Sequence, residues 1–300
     1  MTTPIVDFVR SYAQSGTARL HMPGHKGQSL LGFEPLDITE IRGADELYAP
    51  EGIIAESEAN ATRLFGTAHS YYSTEGSSQC IRAMLFLALQ SAPQNGKRPV
   101  LLAARNAHKA LLYAAALLDF DIRWLWPSAQ AEGALCSCPV TAEALTGALH
   151  ALAQQGIEPF GVYVTSPDYL GGVQDIPALA AVCRAQGVPL LVDASQSAGT
   201  LPLHLTELGA AFIAMPGHKG LYGPQGTGLL LCGERPARPL LLGGTGSASR
   251  DRQMPPTLPD RLEAGTHNMP GIAGLLEGLR FVRRRTPEAI ACRERQLAAE

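Results

Sequence analysis

The sequence predicts an α/β protein whose mainly parallel sheet carries helices on both faces. Seven short β-rich runs recur along the chain: "HSYYS", "RPVLLA", "DIRWLW", "GVYVTS", "VPLLVD", "AAFIAM" and "GTGLLLC". Most are separated by stretches of helical spacing such as "SSQCIRAMLFLALQ" and "IPALAAVCRAQG", and strands alternating with helices build a parallel sheet buried on both sides. Size agrees: 300 residues, 46% of them hydrophobic, with a net charge of -3, can bury one large core and still carry appendages.

Taken in order, a first helix runs from about Pro4 to Ser15, and a Pro/Gly-rich segment follows to about residue 50. A second helix spans "IIAESEANATRLFG" and is stopped by Gly66. The strand–helix alternation then runs to about residue 232, and a long helix begins near Gly271. This divides the chain into an N-terminal arm (1–45), a large domain (46–270) and a linker helix (271–300).

Composition excludes several classes. A slightly acidic balance without a Lys/Arg block argues against nucleic acid or an anionic membrane surface as partner; the arginine run 283–285 reads as a solvated helix end. No apolar run approaches a membrane span, and "MTTPIVDFVRSYAQSG" lacks a basic start followed by an apolar core, so a cytoplasmic location is expected. The six cysteines lack zinc or redox spacing, which predicts reduced thiols and no metal site.

In open α/β sheets ligands bind beyond the carboxyl ends of the strands, and four such ends carry polar chemistry. "HSYYS" runs into "TEGSSQ" and a helix, a small-residue turn where free amides and the helix dipole favour a phosphate; alone, such a turn more often serves geometry only. "RPVLLA" ends in "ARNAHKA", which puts His108 at the start of a helix, where a lone histidine is usually structural. "VPLLVD" ends in Asp193, an acid that is costly to hold after an apolar run unless a cation or donor meets it. Gln196 lies three residues on. "AAFIAM" ends in "PGHKGLYGPQGTG", where Lys219 is placed to act as an amine nucleophile. A phosphate nest, a ring-sized histidine, an acid facing a protonated ring nitrogen and a Schiff-base lysine are together the parts a pyridoxal phosphate site requires.

"MPGHKG" occurs twice, at 22–27 and 215–220. Lys26 precedes every strand and is a poor candidate for a group at a strand end; Lys219 follows one directly.

Two resemblances bear on these residues. Residues 1 to about 192 resemble the orn/lys/arg decarboxylases, fold-type I pyridoxal phosphate enzymes, through "LHMPGHKG", "DITEIRGADELYAPEGII", "LFGTAHSYYSTEGSSQ", "ARNAHKALL" and "TSPDYLGGVQDI". Residues from about 193 resemble class V aminotransferases and cysteine desulfurases, through "DASQSAGTLPL", "MPGHKGLYGPQGTG", "GGTGS" and "RLEAGTHNMPGIAGL". Both imply the fold-type I large domain and pyridoxal 5'-phosphate. They also imply that Lys219 holds the cofactor, Gly76, Ser77 and Ser78 bind its phosphate, and His108 stacks on its ring. Asp193 pairs with the ring nitrogen, Gln196 bonds the ring hydroxyl and His218 lies near the phosphate. Thr266 resembles a class V threonine that reaches the phosphate of a neighbouring subunit, which implies a homodimer with the site at its interface.

Departures matter equally. Glu75 stands where the decarboxylase pattern has asparagine, and a carboxylate beside a phosphate repels it unless turned away or paired. Gln196 is the class V choice where decarboxylases carry histidine. Both families place a smaller domain after the long helix, and the ending at Glu300 predicts a fragment or a fusion. The favoured expectation is an amino-acid decarboxylase; the alternatives are a class V aminotransferase or desulfurase, and an inactive chain that keeps only the fold.

Overall fold

The computed structural model describes residues 2–29, 32–39, 41–45, 51–93, 95–127, 135–233, 238–242, 254, 264 and 268–299. Each of the seven β-rich runs forms a strand: β1 (His69–Ser73), β2 (Val100–Ala104), β3 (Asp121–Leu125), β4 (Gly161–Thr165), β5 (Leu190–Asp193), β6 (Phe212–Pro216) and β7 (Gly228–Cys232). They make one sheet in the order β1-β7-β6-β5-β4-β2-β3. The pairs from β6 through β5, β4 and β2 to β3 are parallel, whereas β7 runs antiparallel to both β6 and β1. The expected α/β architecture is present, with β7 as its antiparallel member.

Residues of β2, β4 and β5 are buried throughout, which is why those strands read as continuous apolar runs rather than alternating ones. Alternation reappears in three dimensions. Val162, Val164, Leu190, Val192, Ile213 and Met215 face one core cluster, while Tyr163, Leu191, Leu101, Ala103 and Ala214 face the other.

The second face is covered by α3 (Gly76–Leu89) and α4 (Lys109–Leu118). The first is covered by α5 (Ala142–Gln154), α6 (Ile176–Ala185) and the terminal helices α1 (Pro4–Gln14), α2 (Ile53–Phe65) and α8 (Met269–Arg285). A four-residue helix, α7 (Leu205–Leu208), leads into β6, and α9 (Pro287–Ala299) follows α8. Local chemistry sets the boundaries. Gly66, at φ +61° with its N–H bonded to Thr62, ends α2. Thr286 at φ +66°, followed by Pro287, separates α8 from α9. The arginine run 283–285 is thus a helix end, as expected, whereas the helix that follows it was not foreseen.

Strand direction brings the useful ends together. The carboxyl ends of β1, β2, β4, β5 and β6 share one edge, and because β7 runs the opposite way its first residue lies there too. Gly228 is the register partner of both Ser73 and Pro216. The turn after β1 and the turn after β6 are therefore attached to a single residue of β7.

Burial also leaves an electrostatic mark. It pushes the Cys183 and Cys232 thiols and the Tyr72 phenol up to about 12. Between the ordinary thiol value of 9.0 and that level, the unfolded chain releases protons that the folded chain retains, so stability present below pH 9.0 must fall as pH rises through this window. The urea midpoint is expected to decline between about pH 9 and 12, less steeply in Cys232→Ala once its own cavity cost is subtracted; a flat profile would contradict this.

Candidate active site

Three turns converge at the sheet edge. The first follows β1. Gly76 sits at φ +69° and opens α3, so its amide and those of Ser77 and Ser78 are first-turn groups without an intrahelical partner. His108, Thr141, Asp175 and Asn268 cap α4, α5, α6 and α8 by accepting a backbone N–H, whereas α3 has no side-chain cap. Gly76 is buried, with Ser77 and Ser78 half-buried. Approach is tight, since a Cβ on Gly228 would come 2.6 Å from the Gly76 carbonyl carbon. Glu75 is turned away, and its carboxylate meets Arg82 Nη2 at 3.0 Å. The repulsion expected of that residue is thereby met by a guanidinium about two turns into the helix.

The second turn follows β5. Asp193 is 1% exposed. Its Oδ2 accepts the Tyr163 hydroxyl at 2.9 Å and its Oδ1 accepts the Ser195 amide at 3.0 Å. Thr165 is the register partner of Asp193, and since a strand alternates faces, Tyr163 two residues earlier shares their side of the sheet. Tyr163 is fully buried, and burial first, then the Asp193 charge, holds its phenol well above the usual tyrosine range. It remains a donor. No cation pairs with Asp193 among the described residues, although a buried carboxylate normally requires one.

The third turn, 217–227, follows β6. Gly217 N–H donates to Thr227 O at 2.8 Å, Gly223 N–H to Gly217 O at 2.8 Å and Tyr222 N–H to Lys219 O at 2.9 Å. Helix α8 closes on this loop: a Cβ on Gly278 would lie 2.1 Å from Leu221 O. His218 and Lys219 stand exposed on the rim. The second and third turns touch main chain to main chain, because Gly199, at φ +91°, would bring a Cβ within 1.8 Å of Gly220 O.

The structure thus gathers Gly76, Ser77, Ser78, Asp193, Gln196, His218 and Lys219 in these three turns. His108 stands exposed at the same edge, where its Nδ1 accepts the Ala110 amide at 3.2 Å. It caps a helix, the ordinary role foreseen for a histidine there, and that bond fixes one ring nitrogen as acceptor. Thr266 lies outside the described residues. Lys26 is elsewhere: its Nζ donates to His21 O at 2.5 Å within the first hexapeptide's own loop, where His25 also bonds Asp37 at 3.1 Å.

Sequence reasoning missed Tyr163 and Thr227. Tyr163 looks like any strand residue until the β4–β5 register is known. Thr227, fully buried, reaches both other parts of the site: its carbonyl lies 3.5 Å from where a Cβ on Gly76 would stand, and its Oγ1 blocks one on Gly217 at 2.1 Å.

These residues fit a phosphorylated cationic ring. An uncapped helix start accepts the phosphate, and a buried carboxylate without a cation awaits a positive partner. A buried side-chain oxygen at the same edge, Asn106 Oδ1, has no hydrogen-bond partner among the described residues.

Comparison with known proteins gives the same chemistry. Residues 3–219 match the model for "Orn/Lys/Arg decarboxylase, major domain" and residues 162–300 match "Aminotransferase class-V", overlapping across β4 to β6. An arginine decarboxylase of Halalkalibacterium halodurans is 27% identical over 232 residues, covering 72% of this chain and 45% of the relative. A probable cysteine desulfurase of Methanothermobacter thermautotrophicus is 38% identical over 120 residues, 38% of this chain and 30% of the relative. The chain spans about half the length of the decarboxylases it matches, 45% in the first case. Among solved structures, the apo cysteine desulfurase of Thermococcus onnurineus superposes with a TM-score of 0.66 at 22% identity, covering 99% of this chain and 68% of the other; at that identity the likeness speaks for the fold. Both families depend on pyridoxal 5'-phosphate, and that is the cofactor this site fits. With 3–219 matched to one model, the chain belongs to the Orn/Lys/Arg decarboxylase major-domain family.

Proposed function

We propose that this chain carries the cofactor-binding half of a pyridoxal phosphate enzyme that acts at the Cα of an amino acid, most simply by decarboxylation. The observation that carries the reading is Asp193, a buried carboxylate with two hydrogen-bond donors and no cation among the described residues. When bound, pyridoxal phosphate supplies an electron-poor ring that takes up the electron pair left on Cα as one of its bonds breaks.

The chain's own groups have distinct tasks. Lys219 Nζ would hold the cofactor and, when free, would carry a proton to or from the substrate Cα. Asp193 holds the proton on the ring nitrogen. Tyr163 donates to Asp193 Oδ2 and so holds that carboxylate in place; without the bond its hold on the ring N–H would loosen. Gly76, Ser77 and Ser78 bind the phosphate with His218 nearby, His108 lies against the ring, and Gln196 bonds its hydroxyl. Thr266 would complete the phosphate site of a neighbouring subunit, which makes the working species a homodimer; a cytoplasmic location is a separate part of this reading. Exposed Leu112, Tyr113 and Leu117 along α4 supply apolar surface for such a contact.

Decarboxylation is favoured because the decarboxylase match runs from the N-terminal segment to Lys219 itself. A class V reaction, transamination or sulfur removal from cysteine, is the second reading. Gln196 and the class V match over 162–300 favour it.

Borohydride reduction and peptide mapping should place the cofactor on Lys219; Lys219→Ala should abolish the label and Lys26→Ala retain it. Label on Lys26 would sink the assignment. Tyr163→Phe should lower kcat by about tenfold, the loss of one charge-assisted hydrogen bond, with KM unchanged. It should also shift the ring-nitrogen signal of ¹⁵N-labelled cofactor toward the unprotonated form; an unmoved signal would reduce Tyr163 to a packing role. Carbon dioxide and a diamine from lysine, ornithine or arginine identify the decarboxylase. Alanine from cysteine, or conversion of the cofactor to its amine form, identifies the class V reading instead.

A further inference from the structure

The arginines near the end of α8 line a cavity that the site above does not use. Arg280, Arg283 and Arg284 stand at i, i+3 and i+4, so they share one face of α8, and that face continues back to Leu276. Together with α2 and β1 they enclose about 400 Å³, lined by Ser57, Asn60, Ala61, Leu64, Tyr72, Leu276 and Leu279 besides the three arginines. Ala61, Leu64, Leu276 and Leu279 supply the apolar surface.

Apart from the arginines the polar lining side chains are uncharged and internally hydrogen-bonded, with the Glu58 carboxylate close enough to act on the Tyr72 phenol. Tyr72 and Ser57 share a 2.8 Å hydrogen bond, and Asn60 donates to Thr2 O at 3.2 Å and accepts from Arg63. Burial keeps the Tyr72 phenol protonated, with Glu58 adding to that effect. No carboxylate lines the cavity. Arg280 is paired with Glu277 at 2.8 Å, but Arg283 and Arg284 have no acidic partner among the described residues. Basic residues in a last turn also complement the helix dipole. That account suffices for Arg285, whose guanidinium lies 5.9 Å over the Phe281 ring; it does not explain two unpaired guanidiniums at the rim of an apolar-floored cavity.

We infer that this cavity binds a small amphipathic anion, its carboxylate or phosphate head on Arg283 and Arg284 and its apolar body over Leu64, Leu276 and Leu279. The volume suits a ligand of that size. None of the cavity's lining residues belongs to the three turns of the cofactor site, so this site is distinct from the cofactor's, although α8 also packs on the 217–227 turn at Gly278.

Calorimetric titration of the cofactor-loaded protein with octanoate, octyl phosphate and neutral 1-octanol tests the inference. At least one of the two anions should bind one-to-one with a Kd of about 1 mM or tighter, 1-octanol at least about tenfold more weakly, and the cofactor absorbance should not change. The tighter of the two anions assigns the head group. The double variant Arg283→Ala/Arg284→Ala alters exposed side chains, so it should melt as the parent does, and it should bind that anion at least about tenfold more weakly. Failure of both anions to bind, equal binding by the double variant or by octanol, or loss of cofactor absorbance would overturn the inference.

Discussion

A carboxylate at the end of a buried strand sets the terms for this molecule. Asp193 has given up water for one phenol and one amide, and neither neutralises its charge. A folded chain keeps such a group only where something repays the desolvation. The surrounding architecture makes sense as the means of presenting that charge. A parallel sheet puts Asp193 at the same edge as the other strand ends, the reversed β7 joins the β1 and β6 turns, and α3 and α4 begin on the face that Tyr163 and Asp193 share.

The fold was legible because hydrophobic runs of strand length alternate with helical spacing, a pattern that leaves few topologies. Pairing order and the reversal of β7 were not legible, since "GTGLLLC" is as apolar as any parallel strand and nothing local encodes direction. The end of α8 at Arg285 matches the helix end read at 283–285, with Pro287 as its sequence signal; the further helix α9 was not foreseen, because nothing before Pro287 shows that a helix restarts there.

The site was legible in part. Asp193 and Lys219 stand out as polar groups directly after buried strands, and the two hexapeptides differ in position: Lys219 follows β6, whereas Lys26 binds a carbonyl inside its own loop. Glu75 misled in the opposite direction. Its charge suggested conflict with a phosphate, but Arg82 lies seven residues on, a spacing that brings the two side chains to one face of α3. Tyr163 and Thr227 could not be read at all, for their significance lies in register and in contact between turns. The two family matches overlap over 162–219, the stretch that holds Tyr163, Asp193 and Lys219.

The contact of Gly199 with Gly220 has a mechanical consequence. Main chain rests on main chain with no side chain between as a spacer, so the span between the Asp193 turn and the Lys219 turn is gauged by peptide geometry, not by rotamers. The side chains around this joint can therefore vary while its spacing stays put, and a single methyl group at either glycine would reset it.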